Sequence, residues 1–471
     1  MQLQTILNRV ERHKSFVYKR VSWDERALRP TLRVHVESRA NGRPICSGCR
    51  RQRPGYDRLA ERTWEFVPLW QITVLLVYAL RRVNCPTCGV VVERVPWASG
   101  KCRQTNSYRL FLATWAKRLS WQEVAEIFHT SWDTVFRAVN LVVSWGIIHS
   151  DLRGVTAIGV DEIQWKRGHH YLTLVYRLDG GVRRLLWVGK ERTESSLQRF
   201  FDLHGSAILP TLQFVCSDMW HPYLQTIAAR AQNALHVLDR YHIVARLNKA
   251  IDKVRAEEAR RMERDGYEPI LKHSRWCLLK RPANWTKKQV VKMRELLEYN
   301  LRTVRAYLLK EDFQRFWEYQ TPHYARQFLR QWCTRSMRSQ LEPVKEVARS
   351  LRQHEELLMN WFRAKGEISA GIVEGMNNKA KLTMRKPTAF ARTKRSKPLS
   401  IINSAIYLNQ NPPTNSADEA KISKFFWQTD IARKPPCWEF LGQSWLWFFL
   451  PLRSYGGLLS GAGESSPAEL R

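Results

Sequence analysis

The spacing of apolar positions changes several times along the chain, and each change marks a type of element. Over residues 155–245, apolar runs of strand length recur as VTAIGV, HYLTLVYRL, RRLLWVG, LQFVC and ALHVL. TESSLQRFFDLHG, between the third and fourth runs, has helical spacing. Three strands, a helix, a strand, a helix and a strand predict an α/β domain with a mixed sheet. Upstream, residues 119–139 read LSWQEVAEIFHTSWDTVFRAV. Ser120 and Glu123 make a capping box, and Val124, Ile127 and Phe128 form the inward face of a short helix. His129 and Thr130 break it, and a second helix starts at Trp132 with Val135 and Val139 inward. Two short helices across a tight turn predict a helix-turn-helix whose second helix, from 132 to 139, is the usual reader of a major groove. Residues 246–365 keep helical spacing almost throughout and are dense in Arg, Lys and Trp. They read as an all-helical insertion whose charge runs are more often solvated faces than a nucleic-acid surface.

Charge changes what these elements face. The 471 residues hold 77 Lys and Arg against 43 Asp and Glu, a net charge of +34. Self-repulsion at this level points to a polyanionic partner. The basic residues are spread along the chain, which favours a broad nucleic-acid-facing surface, and the helix-turn-helix makes double-stranded DNA the expected partner. The opening MQLQTILNRVERHKSF is too charged for a signal peptide, and no run reaches the ~18 apolar residues of a membrane helix. A soluble, cytoplasmic, nucleoid-associated protein without a membrane partner is expected.

Nine cysteines, an odd number, argue against a disulfide framework. Cys46-x-x-Cys49 and Cys85-x-x-Cys88 each set two thiolates on one turn, and two such turns close a tetrahedral site for structural Zn²⁺. The intervening TWEFVPLW and QITVLLVYALRRV read as strands. This predicts a zinc ribbon over 41–102, after an N-terminal segment 1–40. A redox pair or chance spacing is the alternative, and Cys102 is a spare thiol.

The acids need their own account in so basic a chain. In AIGVDEIQW, Asp161 is expected at the tip of the first strand, and Asp218 in FVCSDMW at the tip of the fourth. Adjacent tips would bring the two carboxylates together, where they repel unless a divalent cation lies between them. Glu374, in GIVEGMNNKAKLTMRK, is the candidate third acid, on a helix where Asn378 and Lys381 share its face. All-oxygen ligands suit Mg²⁺ or Mn²⁺, and two such ions suit phosphodiester chemistry. A lone Asp after a strand is usually a turn or cap residue, so the reading rests on two of them at matching ends. Glu162 competes with Asp161 but is expected on the opposite face. Asp239 in VLDRYH is a candidate supporting residue. Trp132, Thr134 and Arg137 on the second helix, with Asn378 and Lys381, are the candidate DNA contacts.

These segments, in this order, resemble a DDE transposase of bacterial insertion sequences, of the ISL-three family. The resemblance runs over roughly residues 40–386. It rests on the paired CxxC turns, the helix-turn-helix, IGVDEIQWKRGHHYLTLVY, VCSDMWHPY, VLDRYHIVARLNKAIDKVR and EGMNNKAK. It implies that Asp161, Asp218 and Glu374 are the catalytic, metal-binding triad. The implied fold is an RNase-H-like mixed-sheet core over 151–245, followed by the helical insertion 246–365 and a last catalytic helix within 366–390. The ribbon and the helix-turn-helix region, 103–150, would read terminal inverted repeats, and the chain would assemble as a homo-oligomer on DNA ends. The implied activity is DNA strand cleavage and transfer by two-metal transesterification. A decayed copy that only binds DNA is the alternative. An RNase-H-like nuclease of other purpose is a third reading, disfavoured by elements that choose a DNA site.

After Glu374 the chain departs from the family pattern. Relatives continue with a basic segment and then a run like Tyr-Gly-Phe-Arg-Thr, whereas this chain reads RKPTAFARTKRSKPLSIINSAIYLNQ. Reading the codons of PTAFAR one frame out permits the family run, which suggests a frameshift near Lys386. Residues 391–471 then form an atypical tail, in which PPCWEFLGQSWLWFFLPLRSYGGLLSGAGESSPAELR has no periodicity. A genuine lineage-specific tail is the alternative, and the coding DNA decides between them.

Overall fold

The computed structural model describes residues 2–148, 150–179, 183–299, 301–364, 371–384 and 406–407. The suspected frameshift and nearly all of the tail lie outside the described residues. Among the described residues, no helix is long and apolar enough to cross a membrane. The chain divides into two compact units, one reaching Phe111 and the other running from Leu112 to Pro412.

The first unit contains α1 (Leu3–Val10), β1 (Phe16–Trp23), β2 (Thr31–Ser38), β3 (Gly55–Glu65), β4 (Thr73–Cys85) and β5 (Gly89–Val92). The strands pair in the order β1-β2-β4-β3, with β5 also on β4. Residues 1–40 are therefore not a separate segment, because β1 and β2 belong to the sheet whose strand β4 ends in Cys85. The alternating Val74, Leu76, Tyr78 and Leu80 of β4 bury one face of that sheet. They do so around Trp97, whose ring lies 5.0 Å from that of Phe16 and 5.6 Å from that of Tyr78. Period-two burial against one aromatic hub fixes the strand register, since a one-residue slip would expose the whole row.

After α2 (Asn106–Ala116), α3 (Trp121–Ile127) and α4 (Trp132–Ile148) form the helix pair. The Ser120–Glu123 capping box is present in both directions. Left-handed His129, at φ 52°, turns the chain between the helices.

The second unit's sheet is built from β6 (Ala157–Lys166), β7 (His170–Arg177), β8 (Arg184–Lys190), α5 (Glu194–Ile208), β9 (Phe214–Ser217), α6 (His221–Arg230) and β10 (Leu235–Leu238). Strand order is β10-β9-β6-β7-β8. β6, β7 and β8 are antiparallel neighbours, while β9 runs parallel to both β6 and β10. The sheet is mixed, as its strand–helix order predicts. Ile158, Val160, Val175 and Val215 pack with Leu197 and Phe200 of α5 and Tyr223 and Ile227 of α6.

Helices α7 (Arg240–Arg264), α8 (Arg275–Leu279), α9 (Lys287–Leu297), α10 (Arg302–Gln314), α11 (Pro322–Arg338), α12 (Glu342–Gln353) and α13 (Glu355–Arg363) follow. They share a core that includes Ile251, Phe313, Phe316, Leu329, Trp332 and Leu351. α13 returns to the sheet, where Asn360 Nδ2 donates to the His236 carbonyl at 2.7 Å. α14 (Gly371–Thr383) then lies on β6. Gly159 permits that approach, because a Cβ there would meet Val373 Cγ2 at 2.7 Å.

Candidate active site and DNA-binding elements

Asp161 is not at a strand tip. It is the fifth residue of β6, which runs on through Gln164 and Trp165 to Lys166. What ends near it is the parallel pairing: the last β6–β9 rung joins Gly159 to Cys216. Beyond that rung β6 pairs with β7 alone, so Asp161 stands past the end of β9, beside Asp218, the residue after β9. Asp239 follows β10 in the same way. Three parallel strands thus deliver three acids to one end of the sheet, where open α/β sheets place their sites.

α14 completes the group. Glu374 is in its first turn, and burial, helped by the Glu374 charge, raises the Tyr241 hydroxyl of α7. One turn along α14, Asn377 is 5% exposed and donates from Nδ2 to Asp161 Oδ2. Its Oδ1 accepts from the Tyr176 hydroxyl at 2.7 Å. The other oxygen of Asp161 accepts from the Glu162 backbone N–H at 2.8 Å and lies 3.5 Å from His242 Nε2. His242 is also 3.8 Å from Asp239, which caps α7 by accepting from the Tyr241 N–H at 2.7 Å. Glu162 leaves β6 on the face opposite Asp161, as strand alternation requires. There Arg192 joins it at 2.9 Å to Asp218 at 2.8 Å, with the guanidinium over the Trp220 ring.

The electrostatics suit a cation. Burial, and then the charges of Asp218 and Asp161, push the Glu162 carboxyl up to about 8. Burial raises Asp239 to about 7 against the pull of His242, and it raises Asp218 against the Trp220 N–H and Arg192. Burial alone would lower His242, but Asp161, Asp239 and Asp218 together lift it to about 9. Arg192 and His242 offset part of the repulsion among these acids, and an all-oxygen donor set fits Mg²⁺ or Mn²⁺ better than Zn²⁺.

The cysteines behave differently. Cys46, Cys49, Cys85 and Cys88 are, among the described residues, the one group of three or more ligating side chains whose donor atoms all lie within 4.8 Å. Cys49 and Cys85 sulfurs are 3.6 Å apart. Tight turns make this possible: Arg50 at φ 59° donates its N–H to the Cys46 carbonyl, and Gly89 turns at φ 72°. Gly48 leaves room for Cys88, whose sulfur would lie 2.7 Å from a Cβ. A Cys₄ cluster of this kind is compatible with a structural zinc, as in a ribbon.

In the helix pair, Trp132 is 9% exposed, stacks on Phe136 with ring centroids 5.6 Å apart and meets Trp121 in a tilted contact at 5.7 Å. That position is a correction: Trp132 packs the helices together and does not face outward. Arg137 is exposed and Thr134 half-buried, with its hydroxyl 3.0 Å from Ser131 Oγ. Asn378 and Lys381 are exposed on α14.

Residues 158–395 match the ISL3 DDE family model, described as a transposase, and residues 93–143 match the helix-turn-helix domain of transposase family ISL3. The chain belongs to the ISL3 transposase family. Among curated proteins, this transposase is 28% identical over 376 residues to the transposase for insertion sequence element IS1001 of Bordetella parapertussis, covering 79% of this chain and 91% of that one. It is 29% identical over 371 residues to the transposase for IS1557 of Mycobacterium tuberculosis, covering 73% and 82%.

The residues that sequence reasoning missed in this transposase are Asn377, Tyr176, Arg192 and His242. Asn377 had a signal, standing at i+3 from Glu374, the other neighbouring position on a helix face. The partners of Arg192 and His242 depend on strand order and left no local trace.

Proposed function

We propose that this transposase binds the terminal inverted repeats of its insertion sequence and cuts and transfers DNA strands at Asp161, Asp218 and Glu374. The observation that carries the reading is the arrival of these acids, from β6, the end of β9 and α14, at one end of a parallel strand set. An antiparallel β6-β7-β8 followed by parallel β9 and β10 supports an RNase-H-like core. Two Mg²⁺ or Mn²⁺ ions held by the three acids would lower the pKa of the attacking water or 3′-hydroxyl and stabilise the leaving oxygen.

The chain's own residues prepare the site. Asn377 fixes the Asp161 carboxylate without neutralising it, because an amide donates a hydrogen bond and carries no charge. Tyr176 fixes which way that amide faces. Arg192 restrains Asp218 and Glu162 together, and its contact with Trp220 keeps the guanidinium plane in place. Asn378 and Lys381 reach DNA phosphates beside Glu374. Arg137 and Thr134 take the major groove through α4. The Cys₄ cluster holds a structural zinc, and the protein assembles as a homo-oligomer on the paired ends.

Asp218→Asn tests the reading on duplex DNA carrying the flanks of the gene. Cleavage with Mg²⁺ is lost, while binding stays within about twofold of wild type because no phosphate contact is removed. Equal loss of cleavage and binding refutes the assignment.

A further inference from the structure

The first unit carries a feature that neither its core nor its cysteine turns require. β2 and β4 run parallel, so the connections leading into them emerge at the same end of the sheet. Thr73 N–H donates to the Pro30 carbonyl at 3.1 Å and ties the two connections together. One is a two-residue hairpin closed by reciprocal backbone bonds between Leu69 and Ile72 at 3.1 and 2.7 Å. Its central residues, Trp70 and Gln71, both sit in the left-handed region at φ 46° and 67°. Glycine and asparagine normally take these places, so the turn is strained. At the tip of this turn the Trp70 side chain is 86% exposed.

The other connection, 24–30, repeats the theme. Leu28 is fully exposed, with exposed Arg26 and Arg29 on either side, exposed Glu25 next to Arg26, and Asp24 paired with Arg33 at 3.2 Å. Trp23, which ends β1 at the same end of the sheet, is 59% exposed. Single exposed apolar residues are ordinary, but a group of them on joined turns marks a binding surface.

We infer that this tip is a second duplex-DNA contact, in which Trp70 and Leu28 enter the minor groove as wedges while Arg26 and Arg29 take flanking phosphates. The inference rests on the DNA-binding reading above and adds a contact to it, separate from the helix pair. Apolar wedges set among cations are the device by which proteins open and bend a base step. A second copy of this chain suits the tip less well. A two-fold contact would bring together two chains that each carry +34, a charge that duplex DNA relieves.

Trp70→Asn removes the indole and keeps the turn, because asparagine tolerates left-handed backbone. Full-length, zinc-loaded protein is titrated against end-labelled duplex from the gene's flanks, reading affinity, salt dependence and end-to-end energy transfer. The substitution weakens binding about tenfold and abolishes the bend. Leu28→Ser, on the other turn, gives a smaller loss in the same direction. Arg26→Ala and Arg29→Ala each reduce the salt slope by about one. Wild-type binding and bending that persist in both Trp70→Asn and Leu28→Ser overturn the inference alone. So does a shift from dimer to monomer in sedimentation with DNA binding intact, which assigns the tip to a second copy. Failure of the wild type to bind duplex overturns the DNA reading itself.

Discussion

The two clusters of ligating side chains in this transposase are built on opposite plans. The four cysteines come in two pairs, each on a single turn, and their donor atoms already lie within 4.8 Å of one another. The acids come from β6, the end of β9 and α14, and basic side chains separate them: Arg192 on Asp218, His242 on Asp161. A site that only has to hold the fold is closed by local turns. The acid cluster is assembled by topology and has its carboxylates on separate elements.

The largest expected effect falls on the closed cluster. Cys85→Ser removes one of four thiolates, so zinc content drops from one per chain towards zero. The first unit loses stability on the scale of the roughly 10 kcal/mol of apparent binding energy of structural zinc sites. Metal analysis beside a thermal melt checks this, and an unchanged melt would mean that the cluster does not staple the sheet.

The open cluster answers differently, because its supports are side chains and not turns. Asn377→Leu leaves Asp161 without its amide partner and lowers the rate of DNA cleavage about 10- to 100-fold, the usual effect of losing a residue that orients a metal ligand. Tyr176→Phe, which only frees the amide to turn over, has a smaller effect, and the double variant is no worse than Asn377→Leu. Additive effects would separate Tyr176 from the chain that positions Asp161.

A buried acid outside both clusters sharpens the contrast. Glu11 in the first unit is 3% exposed and accepts from Ser107 Oγ at 2.8 Å. Burial pushes its carboxyl from 4.5 up to about 8, so the fold keeps it protonated near neutrality. A folded pKa above the unfolded one gives stability that is full below 4.5 and is lost as pH rises through 8. Glu11→Gln therefore removes this decline and gains a few kcal/mol above pH 8. The acid-side decline remains, because buried His13, lowered to about 4, loses stability as pH falls below 6.5. Melting temperature against pH in the two proteins measures both limbs.

How much of this was legible depended on distance along the chain. The cysteine turns, the capping box at Ser120 and the succession of strands and helices from 155 to 245 follow from local spacing, and the mixed α/β class came with them. Asp161 was visible as an odd acid after an apolar run, but its position within β6 was not. The strand continues because β7 pairs with it through Lys166. The apolar run marks only where β9 stops. Trp132 looked like an outward aromatic on a recognition helix, whereas ring contacts with Trp121 and Phe136 turn it inward. Asn377 and Asn378 are adjacent, and only the packing of α14 on β6 decides that the first faces Asp161. Contacts between residues 200 positions apart are set by topology, which no short window of sequence contains.

The most direct measurement is the metal requirement of Asp161→Cys on DNA carrying the gene's flanks. A thiolate is a poor ligand for Mg²⁺ and a better one for softer Mn²⁺ or Cd²⁺. If Asp161 holds the metal, Asp161→Cys gives no cleavage with Mg²⁺ and recovered cleavage with the softer ions, while Asp161→Ala stays inactive with every metal. Full activity of Asp161→Cys with Mg²⁺, or the same metal response in both variants, would contradict the claim that Asp161 holds the metal.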